Sequence, residues 1–205
     1  ETDDENAARQ KELDAQSQTA LASAPPGALG PKGIPQPKEW LVIGPFENKL
    51  GQAEEPENAV DLKKEIKGKG GNVKWKRFDA AMVGANAVLD WNKSKIYTPV
   101  DNTGAYALIH VKVPQSVDAQ LILTHDDGGK AWVNGTKVHE NDRGGGFKAD
   151  EFKVRIKLEE GWNRLMFKVR NGAGSSFGLQ MRVVDGAGSP IPGIEWHAYG
   201  DDLAP

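Results

Sequence analysis

An all-β sandwich is the fold class this sequence predicts, and three observations predict it. Short runs of alternating apolar and polar residues recur between Trp40 and Val183. Turns rich in Gly, Asn and Asp separate those runs. Apolar residues make up 38% of the chain and concentrate between about Trp40 and Tyr199, enough for a single core. At 205 residues the chain suits one such domain with extensions.

Residues 1–39 read as an N-terminal extension or linker, partly helical and partly extended. Asp3-Asp4-Glu5 precedes AARQKELDAQSQTALA, a stretch of helix-forming composition whose acids sit where a helix dipole favours them. Its apolar positions are mostly Ala, with Leu13 and Leu21, so it buries little surface alone. Ala24-Pro25-Pro26-Gly27 ends any helix, and GPKGIPQP continues as an extended segment. Such a tail orders only against a surface, either its own domain or another chain. We read it as a strap for protein contacts.

The sandwich is expected over residues 40–199, with 200–205 as a C-terminal tail. Trp40-Leu41-Val42-Ile43 is a short apolar strand stopped by Gly44-Pro45. Residues 47–71 are polar, with a short helix expected in AVDLKKEI. NVKWKRFD and Ala87 to Trp91 supply further strands. The period-2 signal is clearest from Ala105 to Val113, where Ala107, Ile109, Val111 and Val113 share one face, against Tyr106, Leu108, His110 and Lys112 on the other. Between Leu121 and Arg143 the chain reads strand, acidic turn, strand, Asn134-Gly135 hairpin turn, strand. Three later runs alternate: Val154, Ile156, Leu158; then Leu165, Phe167, Val169; then Phe177, Leu179, Met181, Val183.

Composition excludes several classes. A net charge of −3 supplies no general drive toward nucleic acid or acidic membranes, and no nucleic-acid-binding motif is present. Without Cys there are no disulfides or thiolate metal sites. No apolar run approaches the roughly 20 residues that span a bilayer as a helix. A start at Glu1 rather than Met suggests a removed leader, and we expect an extracytoplasmic location, periplasmic or secreted. No G-x-S-x-G elbow or His pair at metal-binding spacing occurs, and His110, His125, His139 and His197 are scattered. We expect no enzyme activity.

The order WLVIGPF, VKW, THDDGGKAWVNGTKV, LEEGWNRLMFKVRN, FGLQMRVVD resembles bacterial extracytoplasmic jelly-roll modules of the galactose-binding-like kind. These are similar to the sugar-binding domain of family-two glycoside hydrolases, where a W-x-N-G-x-x-V segment also precedes a G-W-N-x-L strand. The resemblance covers about residues 38–194 and implies a jelly-roll β-sandwich. It implies packing roles for Trp40, Trp132 and Trp162, while a fold of this kind serves lectins and structural subunits alike.

Asp126-Asp127 also resembles the paired aspartates of flocculin and protective-antigen-like lectin domains. That resemblance implies a cis Asp-Asp peptide holding Ca²⁺, which in turn binds sugar hydroxyls. Two carboxylates supply only part of the 6–8 oxygen ligands calcium takes, so more would come from Asn141-Asp142 or Asn171-Gly172. The plainer alternative is an acidic turn with capping aspartates and Gly128 in the left-handed region. A glycan site at this end would use Asp126, Asp127, Asn134, Glu140, Asn141, Asp142 and Arg143. Trp91 and Trp196, near loops, are the platform residues for a sugar ring. Carboxylates for glycoside hydrolysis could be drawn from Asp126, Asp127, Glu140 and Asp142, with nothing fixing their separation.

Outward positions on two consecutive strands form a cationic patch for protein contacts: Lys153, Arg155 and Lys157, then Arg164, Lys168 and Arg170, with Arg182 beside them. The short Glu159-Glu160-Gly161-Trp162 turn is expected to set these strands side by side. Two functional readings follow. The first is a non-catalytic accessory or structural subunit of an extracytoplasmic, membrane-associated assembly, with other protein subunits as partners. The alternative is a lectin-like glycan-binding module. The first is preferred because the sequence lacks a complete sugar-binding constellation.

Overall fold

The expected alternation produces two facing antiparallel sheets. The computed structural model describes residues 34–79, 88–94, 101–144, 148–172 and 177–200. Along the chain the strands are β1 (Glu39–Glu47), β2 (Ile66–Gly68), β3 (Gly71–Val73), β4 (Lys76–Asp79), β5 (Val88–Asp90) and β6 (Thr103–Val113). Then come β7 (Val117–Asp126), β8 (Gly129–Val133), β9 (Thr136–Asn141) and β10 (Phe152–Leu158). The last three are β11 (Gly161–Asn171), β12 (Gly178–Asp185) and β13 (Glu195–His197). Two one-turn helices, α1 (Glu55–Asn58) and α2 (Trp91–Ser94), interrupt them.

Among the described residues the larger sheet has seven strands in the order β4-β1-β6-β11-β8-β9, with β13 also paired to β6. The smaller is β10-β7-β12-β5, and β2-β3 form a separate hairpin. The jelly-roll-like β-sandwich expected from the sequence is the observed architecture. All three alternating runs face inward as expected. Ile109, Val111, Leu121, Ile156, Leu165, Phe167, Leu179 and Met181 join one core cluster between the sheets. Each fully buried side chain of this kind stabilises the fold by about 1.5–3 kcal/mol.

Three expectations are corrected in the first half of the chain. Gly44-Pro45 does not stop the first strand: β1 runs on to Glu47 through a register shift between Ile43 and Phe46. A bulge accommodates the proline, which cannot donate to the ladder. AVDLKKEI is not a helix; the single turn of α1 lies just before it, and Ile66 begins β2. Residues 47–71 are not merely polar, because Ile66, with Val60 and Leu62 beside it, packs on the outer face of the larger sheet. With the flanking Phe46 and Trp75 it covers Leu41, Ile43, Tyr106, Leu108, Trp132 and Met166 in a second cluster.

The cationic patch is also corrected. β10 belongs to the smaller sheet and β11 to the centre of the larger one, so the turn between them crosses the sandwich. Lys153, Arg155 and Lys157 lie exposed on an edge strand. Arg164, Lys168 and Arg170 lie on the other sheet, and Lys168 is fully buried. Arg182 is buried against Asp150, which it pairs through both guanidinium nitrogens. Charge repulsion along one face never arises because the six cations do not share a face.

The extension reaches the sandwich at Ile34. Its side chain packs with Ile122 and Val184 on the outer face of the smaller sheet, and Gln36 is buried too. The strap expectation for residues 1–33 lies outside the described residues. Among the described residues no helix is long and apolar enough to cross a membrane.

Candidate functional site

The site is built where several strands end together. β7 ends at Asp126, β9 at Asn141 and β11 at Asn171, while β6 begins at Thr103 and β8 at Gly129. The antiparallel registers bring those ends to one edge of the sandwich: Asn171 lies opposite Thr103, and Gly129 opposite Asn141. The Asp126-Asp127 peptide is cis, as the lectin resemblance implies.

Asp127 is held from three directions. Its Oδ2 accepts the Gly172 backbone N–H at 2.8 Å and lies 3.9 Å from Arg170 Nη1. Its own N–H donates to the Arg170 carbonyl at 2.8 Å. Arg170 Nε donates to Asp142 Oδ1, so one guanidinium lies between two carboxylates from different loops. The Arg170 N–H in turn donates to the Gly128 carbonyl at 2.9 Å. Gly128 is not in the left-handed region, which corrects the plainer turn reading. Glycine is needed there for space: a Cβ would stand 2.5 Å from Asp142 Oδ1 and 2.9 Å from Arg170 Nε.

Beneath the acids lies a histidine pair that joins the two sheets. His125 Nδ1 lies 2.8 Å from the Asp127 carbonyl, an acceptor only, so Nδ1 carries the hydrogen. His125 Nε2 therefore accepts from His139 Nε2, 3.0 Å away, when both rings are neutral. Phe152 stacks on His125 at 5.0 Å and packs on His139 at 4.7 Å. Burial, then the charges of Arg143 and Arg170, push His125 below the usual imidazole value, with the Asp127 carbonyl opposing them. Burial and the neighbouring His125 push His139 down to about 4, with Glu140 opposing them.

The structure brings together some expected site residues and disperses others. Asp126 is buried at the strand end; Asn141 accepts the Arg143 N–H at 3.1 Å; Asp142 and Asp127 share Arg170. Arg143 lies over Phe152 and pairs with Glu151. Asn134 is at the far end of the β8–β9 hairpin, where its amide ties the turn to Asn163 and Arg164. Glu140 pairs with Lys137 and Lys130 on the outer face of the larger sheet. Trp91 is no platform: it is 1% exposed and stacks on Phe177 in the core. Trp196 packs against the core beside Val111, near the opposite end of β6 from Thr103. Arg170, assigned to the patch by its outward position, is the residue that organises the site. Its place at the end of β11, beside Asn171-Gly172, was the available signal.

Among the described residues no group of three or more acidic or histidine side chains is placed to ligate a metal. The positive charge between Asp127 and Asp142 is supplied by Arg170. The described residues therefore do not complete a calcium shell.

No protein-family model and no curated protein matches this sequence. Among solved structures the chain is similar to the PA14 domain of the MpAFP antifreeze protein, with a TM-score of 0.48 and 15% identity, covering 80% of this chain and 93% of that one. It is similar to an anti-sigma factor domain-containing protein from Clostridium clariflavum, with a TM-score of 0.44 and 12% identity, over 74% of this chain and 44% of that chain. A PA14 sugar-binding domain from an RTX adhesin aligns with a TM-score of 0.33 and 17% identity, covering 46% and 53% of the two chains. At these values the likeness concerns β-sandwich architecture and says nothing of a ligand.

Proposed function

We propose that the chain is a non-catalytic, extracytoplasmic glycan-binding module that uses the loop end around Asp127, Asp142 and Arg170. One observation carries this reading: carboxylates, a guanidinium and backbone N–H groups from separate strands are held together at one edge. Planar acceptors and a forked donor at fixed spacing suit adjacent sugar hydroxyls, each of which both donates and accepts. Hydrolysis is not supported, because Glu140 is on another face and Asp142 is engaged by Arg170. The test is a glycan array with the intact protein, with and without Ca²⁺. Asp142→Asn and Arg170→Gln should each reduce retention at least tenfold, and chelation should leave it unchanged. Retention that survives both substitutions would sink the reading.

A second reading is favoured by Ile34. It is buried on the smaller sheet against Ile122 and Val184. In this reading the module is an accessory subunit of an assembly, and the segment ahead of Ile34 straps it to a partner. Truncation before Ile34, which keeps Ile122 and Val184 covered, should release protein companions from a gentle pull-down. Unchanged companions would remove this reading.

A further inference from the structure

Among the described residues the cover on the outer face of the larger sheet is incomplete. Residues 46–75 close over Tyr106, Leu108 and Met166, but beside β13 the ends of β6 and β11 carry polar and aromatic side chains. Arg164 lies opposite His110, and His110 opposite His197, so the three make a row across neighbouring strands. One step along, Trp162 lies opposite Lys112. Trp162 and His197 meet edge-on with ring centres 6.1 Å apart, and His197 and Tyr199 meet at the same spacing. All three rings are half-buried, which corrects the core role expected for Trp162.

Beside these rings opens a cavity of about 420 Å³ lined by Val60, Asp61, Leu62, Lys63, Leu108, His110, Arg164 and Tyr199. Arg164 also lines an adjoining cavity of about 90 Å³. Two cations, Lys63 and Arg164, line the cavity against one carboxylate, Asp61, which accepts the Lys63 backbone N–H. Glu39 pairs with Arg77 at 2.8 Å and lies 3.8 Å from His197, and Glu195 lies opposite Lys112. Among the described residues the Arg164 guanidinium has no carboxylate partner.

We propose that this face is a second saccharide site, separate from the loop end, whose ligand is an acidic sugar chain bearing uronate carboxylates. The guanidinium fork of Arg164 matches a carboxylate in two parallel hydrogen bonds. Half-buried rings offer flat apolar faces to sugar C–H groups, and Leu62 and Leu108 add apolar surface to the cavity wall. Lys63, in the cavity wall, supplies a second cation beside Arg164.

The test is calorimetric titration of the full chain with tetragalacturonate, with neutral galactotetraose and with a glutamate tetrapeptide. Binding of tetragalacturonate should exceed both controls, and should fall at least tenfold in Arg164→Gln and in Tyr199→Ala. Arg164→Lys, which keeps charge but loses the fork, should fall between. Lys153→Gln, which removes one charge from the other sheet, should bind as the parent does, and thermal melts identify any variant that fails to fold. No binding of tetragalacturonate by the parent would overturn the proposal. So would equal affinity in folded Arg164→Gln, or equally tight binding of the glutamate peptide.

Discussion

Asn134 Nδ2 donates to Asn163 Oδ1 at 2.9 Å, joining the WVNG and GWNRL motifs through their asparagines. Asn163 is fully buried and uses its whole amide: its oxygen also accepts the Glu159 N–H, and its nitrogen donates to the carbonyls of Glu159 and Gly161. Asn134 Oδ1 accepts the Arg164 N–H at 2.8 Å. The two motifs therefore mark a clamp between neighbouring turns, which is why they speak for fold and not for ligand. Asn163→Ala should destabilise by about 2–3 kcal/mol, because several buried partners lose their bonds at once. Urea melts with an unchanged m-value would establish this.

Glu57 holds the covering segment down. Its carboxylate accepts Tyr106 Oη at 2.6 Å and lies 3.2 Å from Lys168 Nζ and 3.5 Å from Lys130 Nζ. Burial pushes Lys168 below the ordinary lysine value, with Glu57 opposing that shift. Glu57→Gln should cost about 3 kcal/mol, since it leaves a buried ammonium without its counter-charge. Adding Lys168→Met should recover most of the loss. Denaturant titration of the single and double variants decides between them.

Acid should loosen the loop end first. An unfolded histidine titrates near 6.5, whereas folded His139 is held down to about 4 and His125 is lowered as well. The unfolded chain binds more protons between those values, so stability falls as pH drops from about 6.5 toward 4, and this contribution is spent below that. His139→Gln should flatten the decline by about one proton. Melting temperature measured across this range reads both slopes.

Gly129 lies against the face of the His125 ring. A Cβ there would stand 2.5 Å from the ring carbons Cγ and Cδ2. Gly129→Ala should cost about 1–3 kcal/mol, because a ring stacked on Phe152 cannot yield easily. Hydrogen exchange should show faster opening at residues 125–129 than at the centre of β6.

Much of the sandwich was legible because period 2 is written locally: Leu165, Phe167 and Val169 announce their own inward face. The loop end was partly legible too, since Asp126-Asp127, Asp142 and Asn171-Gly172 do converge. What the sequence hid depends on distant partners. Ile66 and Trp75 sit singly in polar surroundings and become buried only against the outer face of the larger sheet. Trp91 stands beside loops in sequence yet is drawn inward by Phe177. A short turn at Glu159 suggested paired strands, although its length equally permits a crossing between sheets.

The burial of Ile34 on Ile122 and Val184 also sets an orientation. Ile34 therefore marks the outer side of the smaller sheet, while the Arg164 cavity opens on the outer side of the larger one. A partner seated over Ile34 would hold the module by its back, leaving the cavity turned outward like a plate on a wall bracket.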